Sequence, residues 1–256
     1  MKITKIETFF VKPRWLFLKM HTDEGLVGLG EPIVEGRAQT VAMAVKELGR
    51  YLIGQDPRRI EHHWQAMYRG AFYRGGPVLV SAISGVEQAM WDILGKSLGV
   101  PVYQLLGGAC RDRIRIYSQC HGDTPEAISA RAKELVAEGF TALKTVLDGP
   151  VRIVDSKAFV ESQVRKIAAI RDVIPDSVDL AVDFHGRASP AMAVRLAKAF
   201  EPFHLMFIEE PVLPDNVDAM VTVARSTTIP IATGERLFTK WGFREVLEKQ
   251  AAVILQ

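Results

Sequence analysis

The sequence predicts an α/β protein in two parts: an α+β region over residues 1–112 and a parallel α/β region over residues 113–256. Three observations predict it. The opening residues alternate apolar and polar with the period of strands, two long runs then place apolar residues at helical spacing and end at glycine, and from residue 113 strand-like and helix-like runs follow one another in turn.

In chain order, KITKIETFF and WLFLKMHT read as strands, and DEGLVGLGEP supplies a turn and a third strand. Together they make a small antiparallel sheet. GRAQTVAMAVKELGRYLIG and VLVSAISGVEQAMWDILGKSLG read as helices closed by glycine. Beyond residue 112 come the strand RIRIYSQC, a helix from Thr124, the strand FTALKTVL, a helix through VRKIAAIRDVI and the strand DLAVDFHG. The series continues with HLMFIEEP, a helix over VDAMVTVARS, IPIATGER, a helix around WGFREVLEK and a sixth strand, AVILQ. Thr124-Pro125 and Ser189-Pro190 mark helix starts: a hydroxyl at the cap, then proline where its missing N–H is not needed and its φ is already helical.

At 256 residues, 48% apolar and 24% charged, the chain has the composition of a soluble globular protein and not of a disordered one. A formal charge of +2 with no basic run excludes a nucleic-acid surface but suits a small anionic substrate. No stretch reaches membrane-spanning length, and MKITKIETFFVKPRW has too short an apolar core for a signal segment. Cys110 and Cys120 have neither metal-ligand nor disulfide spacing, so a reducing, cytoplasmic setting is expected, with both thiols as small apolar side chains.

The chemistry lies at the strand ends. Asp183, Glu209 and Glu235 close three successive strands and are spaced by 26 residues each time. Each βα unit therefore delivers one carboxylate to the same place, the C-terminal mouth of a parallel barrel, where sites of this architecture sit. A lone acidic residue there is ordinarily a helix cap or a surface ion pair. Three in register repel one another without a cation, and with Mg²⁺ they supply half of an octahedron of hard oxygen ligands. His185 stands two residues beyond Asp183, on the same face if the segment is extended, and is the candidate general acid. An isolated histidine more often caps a loop or packs in a core. His21, His62, His63, His121 and His204 lack such company and are read as solvated or structural.

The combination of VDFHG, FIEEP and TGER on successive strands, after EGLVGLGEP and AMWDILGK, resembles the enolase superfamily in its mandelate racemase and muconate lactonizing enzyme branch. RWLFLK, YLIGQDP, FYRGGP and FIEEPVL extend the likeness along the whole chain and toward sugar-acid dehydratases. The resemblance implies an α+β capping domain over residues 1–112 and a modified (β/α)₈ TIM barrel from residue 113. It also implies Mg²⁺ held by Asp183, Glu209 and Glu235, and His185 as the acid that protonates a departing hydroxyl. The activity implied is dehydration of an aldonate, D-galactonate first, to a 2-keto-3-deoxy acid, by a homo-oligomeric enzyme. Such chemistry needs the metal because the proton beside a carboxylate is very weakly acidic, and the enediolate left by its removal must be stabilised as it forms.

Lys144 matches the first lysine of a Lys-x-Lys pair that many relatives carry on the second barrel strand, and so implies a contact with the substrate carboxylate, although a lysine there can also simply be solvated. The second lysine is replaced by Val146, which argues against a lysine-based racemase. Arg14, Trp15 and the Phe72 to Gly76 stretch are candidates for setting substrate choice or for a subunit contact. A (β/α)₈ barrel needs eight strands, whereas Gln256 lies on the sixth. The resemblance places the general base, a histidine, on the seventh strand and its acidic partner just beyond the sixth. The expectation is therefore a barrel truncated after about its sixth strand, which holds the metal site and the acid and turns over little by itself. The alternatives are another aldonate dehydratase, an epimerase or racemase of the same branch, or a non-catalytic module.

Overall fold

In the first unit of the computed structural model, Met1–Arg113, β1 (Ile3–Val11), β2 (Trp15–Thr22) and β3 (Val27–Gly30) form an antiparallel sheet in that order. The structure describes residues 1–256. β2 buries Leu16, Leu18 and Met20 and exposes Trp15 and Phe17, the alternation of a sheet with one wet face. Four helices follow: α1 (Ala38–Leu52), α2 (Ile60–Arg69), α3 (Pro77–Leu98) and the short α4 (Val102–Leu105). α3 begins on a proline and stops at Gly99, whose φ of 69° is left-handed. Its buried stripe of Ala82, Ile83, Val86, Ala89, Met90 and Ile93 packs on the sheet. β3 lies so close that a Cβ at Gly28 or Gly30 would strike the α3 carbonyls of Ala89 or Gly85. Only glycine fits at these two positions.

Sequence patterning does not reveal α2, because its inward stripe is Ile60, His63 and Met67 and the middle residue counts as polar. The His63 ring is fully buried, 2.8 Å from the Tyr51 hydroxyl and 2.9 Å from the Asp56 carbonyl, so it packs as a satisfied core residue. Burial pushes its pKa down.

The second unit, Ile114–Gln256, alternates strand and helix throughout. β4 (Ser118–Gln119), α5 (Pro125–Ala137), β5 (Ala142–Val146), α6 (Lys157–Arg171), β6 (Asp179–Asp183) and α7 (Pro190–Phe200) come first. β7 (Ile208–Glu209), α8 (Val217–Ala224), β8 (Ile231–Thr233), α9 (Thr239–Glu248) and β9 (Ile254–Leu255) complete it. All six strands are parallel, and their spatial order is their chain order, the winding of a (β/α) barrel. Thr124 and Ser189 cap α5 and α7 by accepting from the Ala127 and Met192 amides, each contact stabilising its helix by about 1 kcal/mol.

Both faces of this sheet are buried, which is why its strands read as unbroken apolar runs. Leu143, Leu180, Val182 and Ile208 belong to the large core shared with the helices, each burial contributing roughly 1.5–3 kcal/mol. Ala181, Phe207 and Ala232 form a small cluster on the opposite face. The first strand is shorter than RIRIYSQC suggests: only Ser118 and Gln119 pair with β5. Ile114 and Ile116, which precede the paired residues, remain 77% and 65% exposed. No helix is long and apolar enough to cross a membrane.

Candidate active site

Parallel pairing sets the level at which each side chain leaves the sheet. Asp183 and Glu209 are direct Cα partners at the ends of β6 and β7, and Val146 at the end of β5 is level with Asp183. Glu235 follows two residues after β8 ends, beyond Gly234. Lys144 pairs with Ala181, two residues below Asp183, so its side chain must climb about 6–7 Å along the strand to reach that level.

It does so. Lys144 Nζ lies 2.5 Å from Glu209 Oε2 and 3.3 Å from Asp183 Oδ2, and its ammonium stands 5.1 Å from the centre of the Tyr117 ring. All three charged groups are buried, Lys144 to 5% and each carboxylate to 2% exposure. Burial disfavours the ammonium, yet Glu209 and then Asp183 outweigh it and hold the lysine well above its ordinary range. The reading of Lys144 as a solvated surface lysine is thereby corrected: the two carboxylates compensate its charge away from water.

His185 meets Asp183 by a different route from the extended one. β6 stops at Asp183, and His185 takes a φ of 52°, so the chain turns back on itself. Its N–H donates to Asp183 Oδ1 at 2.7 Å, and its ring Nε2 lies 3.1 Å from Asp183 Oδ2. A carboxylate accepting from the amide two residues on is a local turn, and it overrides the strand periodicity. The imidazole is 47% exposed, open to proton exchange with solvent.

Glu235 lies at the rim. Lost hydration, then the neighbouring Glu210 and Glu209 carboxylates, raise its carboxyl above the ordinary range. No three acidic, histidine or cysteine side chains close around one point here. Carboxylates brought together repel unless a cation lies among them, and the Lys144 ammonium reaches only Asp183 and Glu209.

The donor set nevertheless fits a hard divalent cation. It is all oxygen, it comes from three consecutive strand ends, and two of its members already bracket a positive charge. When ionised, Asp183, Glu209, Glu210 and Glu235 against Lys144 and Arg236 leave the cluster two charges negative. A divalent cation restores that balance.

Two residues of this cluster escape a motif reading, Glu210 and Arg236. Glu210 is fully buried and takes a two-pronged pair from Arg236, with Nε to Oε1 at 3.1 Å and Nη2 to Oε2 at 2.6 Å. The only signal for them is position: each directly follows a candidate ligand, in FIEEP and in TGER.

Comparison with known proteins matches both units. Residues 6–107 match the mandelate racemase/muconate lactonizing enzyme N-terminal domain, and residues 127–256 match the enolase C-terminal domain-like family. The chain is similar along its whole length to D-galactonate dehydratases of Ralstonia nicotianae and Klebsiella pneumoniae, with 51% and 50% identity, and spans 67% of each. Among solved structures, a member of the enolase superfamily from Salmonella Typhimurium aligns over the full chain and 73% of its own length, with a TM-score of 0.92 and 31% identity. A mandelate racemase/muconate lactonizing enzyme from Sulfitobacter aligns over the full chain and 71% of its own, with a TM-score of 0.92 and 35% identity.

Proposed function

The chain belongs to the mandelate racemase/muconate lactonizing enzyme branch of the enolase superfamily, and from that premise we propose that it carries the metal ligands and the general acid of a sugar-acid dehydratase. The substrate proposed is an aldonate, D-galactonate first, converted to 2-dehydro-3-deoxy-D-galactonate. The observation that supports this most is the grouping of Asp183, Glu209 and His185 at adjacent strand ends, in a chain about half identical to proteins named for that activity.

Asp183, Glu209 and Glu235 are the groups that would hold Mg²⁺, which supplies electrostatic stabilisation to the charge that develops on the substrate carboxylate as its neighbouring proton leaves. Lys144 lies beneath them with its ammonium held between Asp183 and Glu209, and in this reading it turns to the substrate carboxylate once Mg²⁺ neutralises the two acids. His185 gives its ring proton to the 3-hydroxyl as the carbon–oxygen bond breaks, so that water leaves in place of hydroxide. The contact with Asp183 holds the imidazole in orientation, and its exposed side takes up a new proton from solvent. Val146 stands where a lysine base would be needed for racemisation, which favours dehydration over epimerisation. This reading assigns the general base to no residue of the chain.

Calorimetric titration with Mg²⁺ tests the metal assignment: the chain binds, and Asp183→Asn or Glu209→Gln removes binding. In a chain spanning the relatives' full length, incubation with a panel of aldonates and Mg²⁺ yields the 2-keto-3-deoxy product. Epimerised acid without keto product refutes the dehydratase reading.

A further inference from the structure

The ends of β6 and β7 and the loop after β8 each carry one carboxylate of the cluster, and a single contact joins the three loops that follow these strands. Arg236, next to Glu235, extends its guanidinium to both oxygens of Glu210, next to Glu209. The same guanidinium fills the space over Gly186, where a Cβ would collide with Nη2, and Gly186 is three residues from Asp183. Backbone bonds continue the tie: the Gly186 amide donates to the Glu210 carbonyl at 2.8 Å, and the Glu210 amide to the Ala232 carbonyl at 2.9 Å. Glu210 has no exposed surface, so Arg236 is the partner that its carboxylate oxygens meet away from water.

We infer that the Glu210–Arg236 pair is a positioning element for the acidic cluster: it fixes the three loops relative to one another and so sets where Asp183, Glu209 and Glu235 present their oxygens. The inference rests on the metal assignment made above. Arg236 touches no substrate or metal in this role and acts only through its neighbours, as partners of ligand residues commonly do. The two-pronged geometry is the active feature. A lysine would keep the charge but, as a point donor, cannot span both Glu210 oxygens and cover Gly186 at once.

The experiment is Mg²⁺ titration by calorimetry, with thermal melts with and without Mg²⁺, of the wild-type chain, Arg236→Lys and Glu210→Gln. Arg236→Lys is expected to fold and to bind Mg²⁺ about 10–100-fold more weakly at unchanged net charge. Glu210→Gln, which keeps the shape and weakens the fork, is expected to lose affinity in the same direction. If Arg236→Lys keeps wild-type affinity, the fork does not position the ligands and the inference is overturned. A lower melting temperature without Mg²⁺, combined with unchanged affinity, marks a merely structural pair and also overturns it. If the wild-type chain itself binds no Mg²⁺, the metal assignment falls and carries this inference with it, an outcome distinct from the other two.

Discussion

Replacing Lys144 by methionine keeps an unbranched side chain one atom shorter and removes the one cation that bridges Asp183 and Glu209. Both carboxylates are 2% exposed, and the ammonium is 2.5 Å from one and 3.3 Å from the other, so neither can recover water when it goes. Breaking a buried ion pair by deleting one partner costs about 3–5 kcal/mol, because an uncompensated charge remains. At roughly 2–4 °C per kcal/mol for a chain of this size, the melting temperature without Mg²⁺ should fall by on the order of 10 °C. Mg²⁺ neutralises the same pair, so saturating Mg²⁺ should raise the melting temperature of Lys144→Met more than that of the wild type. Differential scanning calorimetry at several Mg²⁺ concentrations reads both quantities. A variant as stable as the wild type without Mg²⁺, or one gaining no more from Mg²⁺, refutes the argument that one charge stands in for the other.

His185→Asn should leave Mg²⁺ affinity within a few-fold of wild type while lowering turnover by about 10²–10⁴ in a chain of the relatives' full length. Parallel loss of both, by calorimetry and product assay, would mean that the ring serves the metal site. In the first unit, hydrogen bonds from Arg58 hold Asp56 at a pKa of about 2, below its ordinary 3.8. A carboxyl whose folded pKa is depressed contributes stability above the unfolded value and loses it as pH falls through the folded one. Asp56→Asn should therefore reduce the loss of stability between about pH 4 and pH 2, as followed by circular dichroism. Burial pushes the Cys120 thiol up to about 11, whereas Cys110 is exposed. A thiol reagent at pH 8 should modify one cysteine in the folded protein and two in denaturant; two in the folded state would contradict the burial of Cys120.

The sequence makes the strands of the second unit legible because both faces of the sheet are buried and the strands read as unbroken apolar runs between turn residues. The caps Thr124 and Ser189 are equally legible, since their chemistry is local. Their exact extents are not: pairing with a neighbour, as at Ser118–Gln119, depends on what lies beside a segment and not on its own residues. Asp183 and Glu209 can be placed by counting residues. The turn at His185 cannot, because a single side-chain-to-backbone hydrogen bond reverses the periodicity argument. Glu210 and Arg236 are the plainest gap. A buried ion pair between residues 26 apart leaves no periodic trace, and each looks like one more charged residue in a loop.

The level pairing of Asp183 with Glu209 bears on how this chain can change over generations. Successive strand residues point to opposite faces, so a deletion of one residue inside β7 would turn its carboxylate from the mouth into the helix-facing core. Insertions in the stretch between α7 and β7 meet no such parity rule, because the strand pairing restores the level afterwards. Length variation is thus filtered by place: the loops and helix ends are free to drift and diversify, while the few strand residues beneath the acids are held to a fixed count.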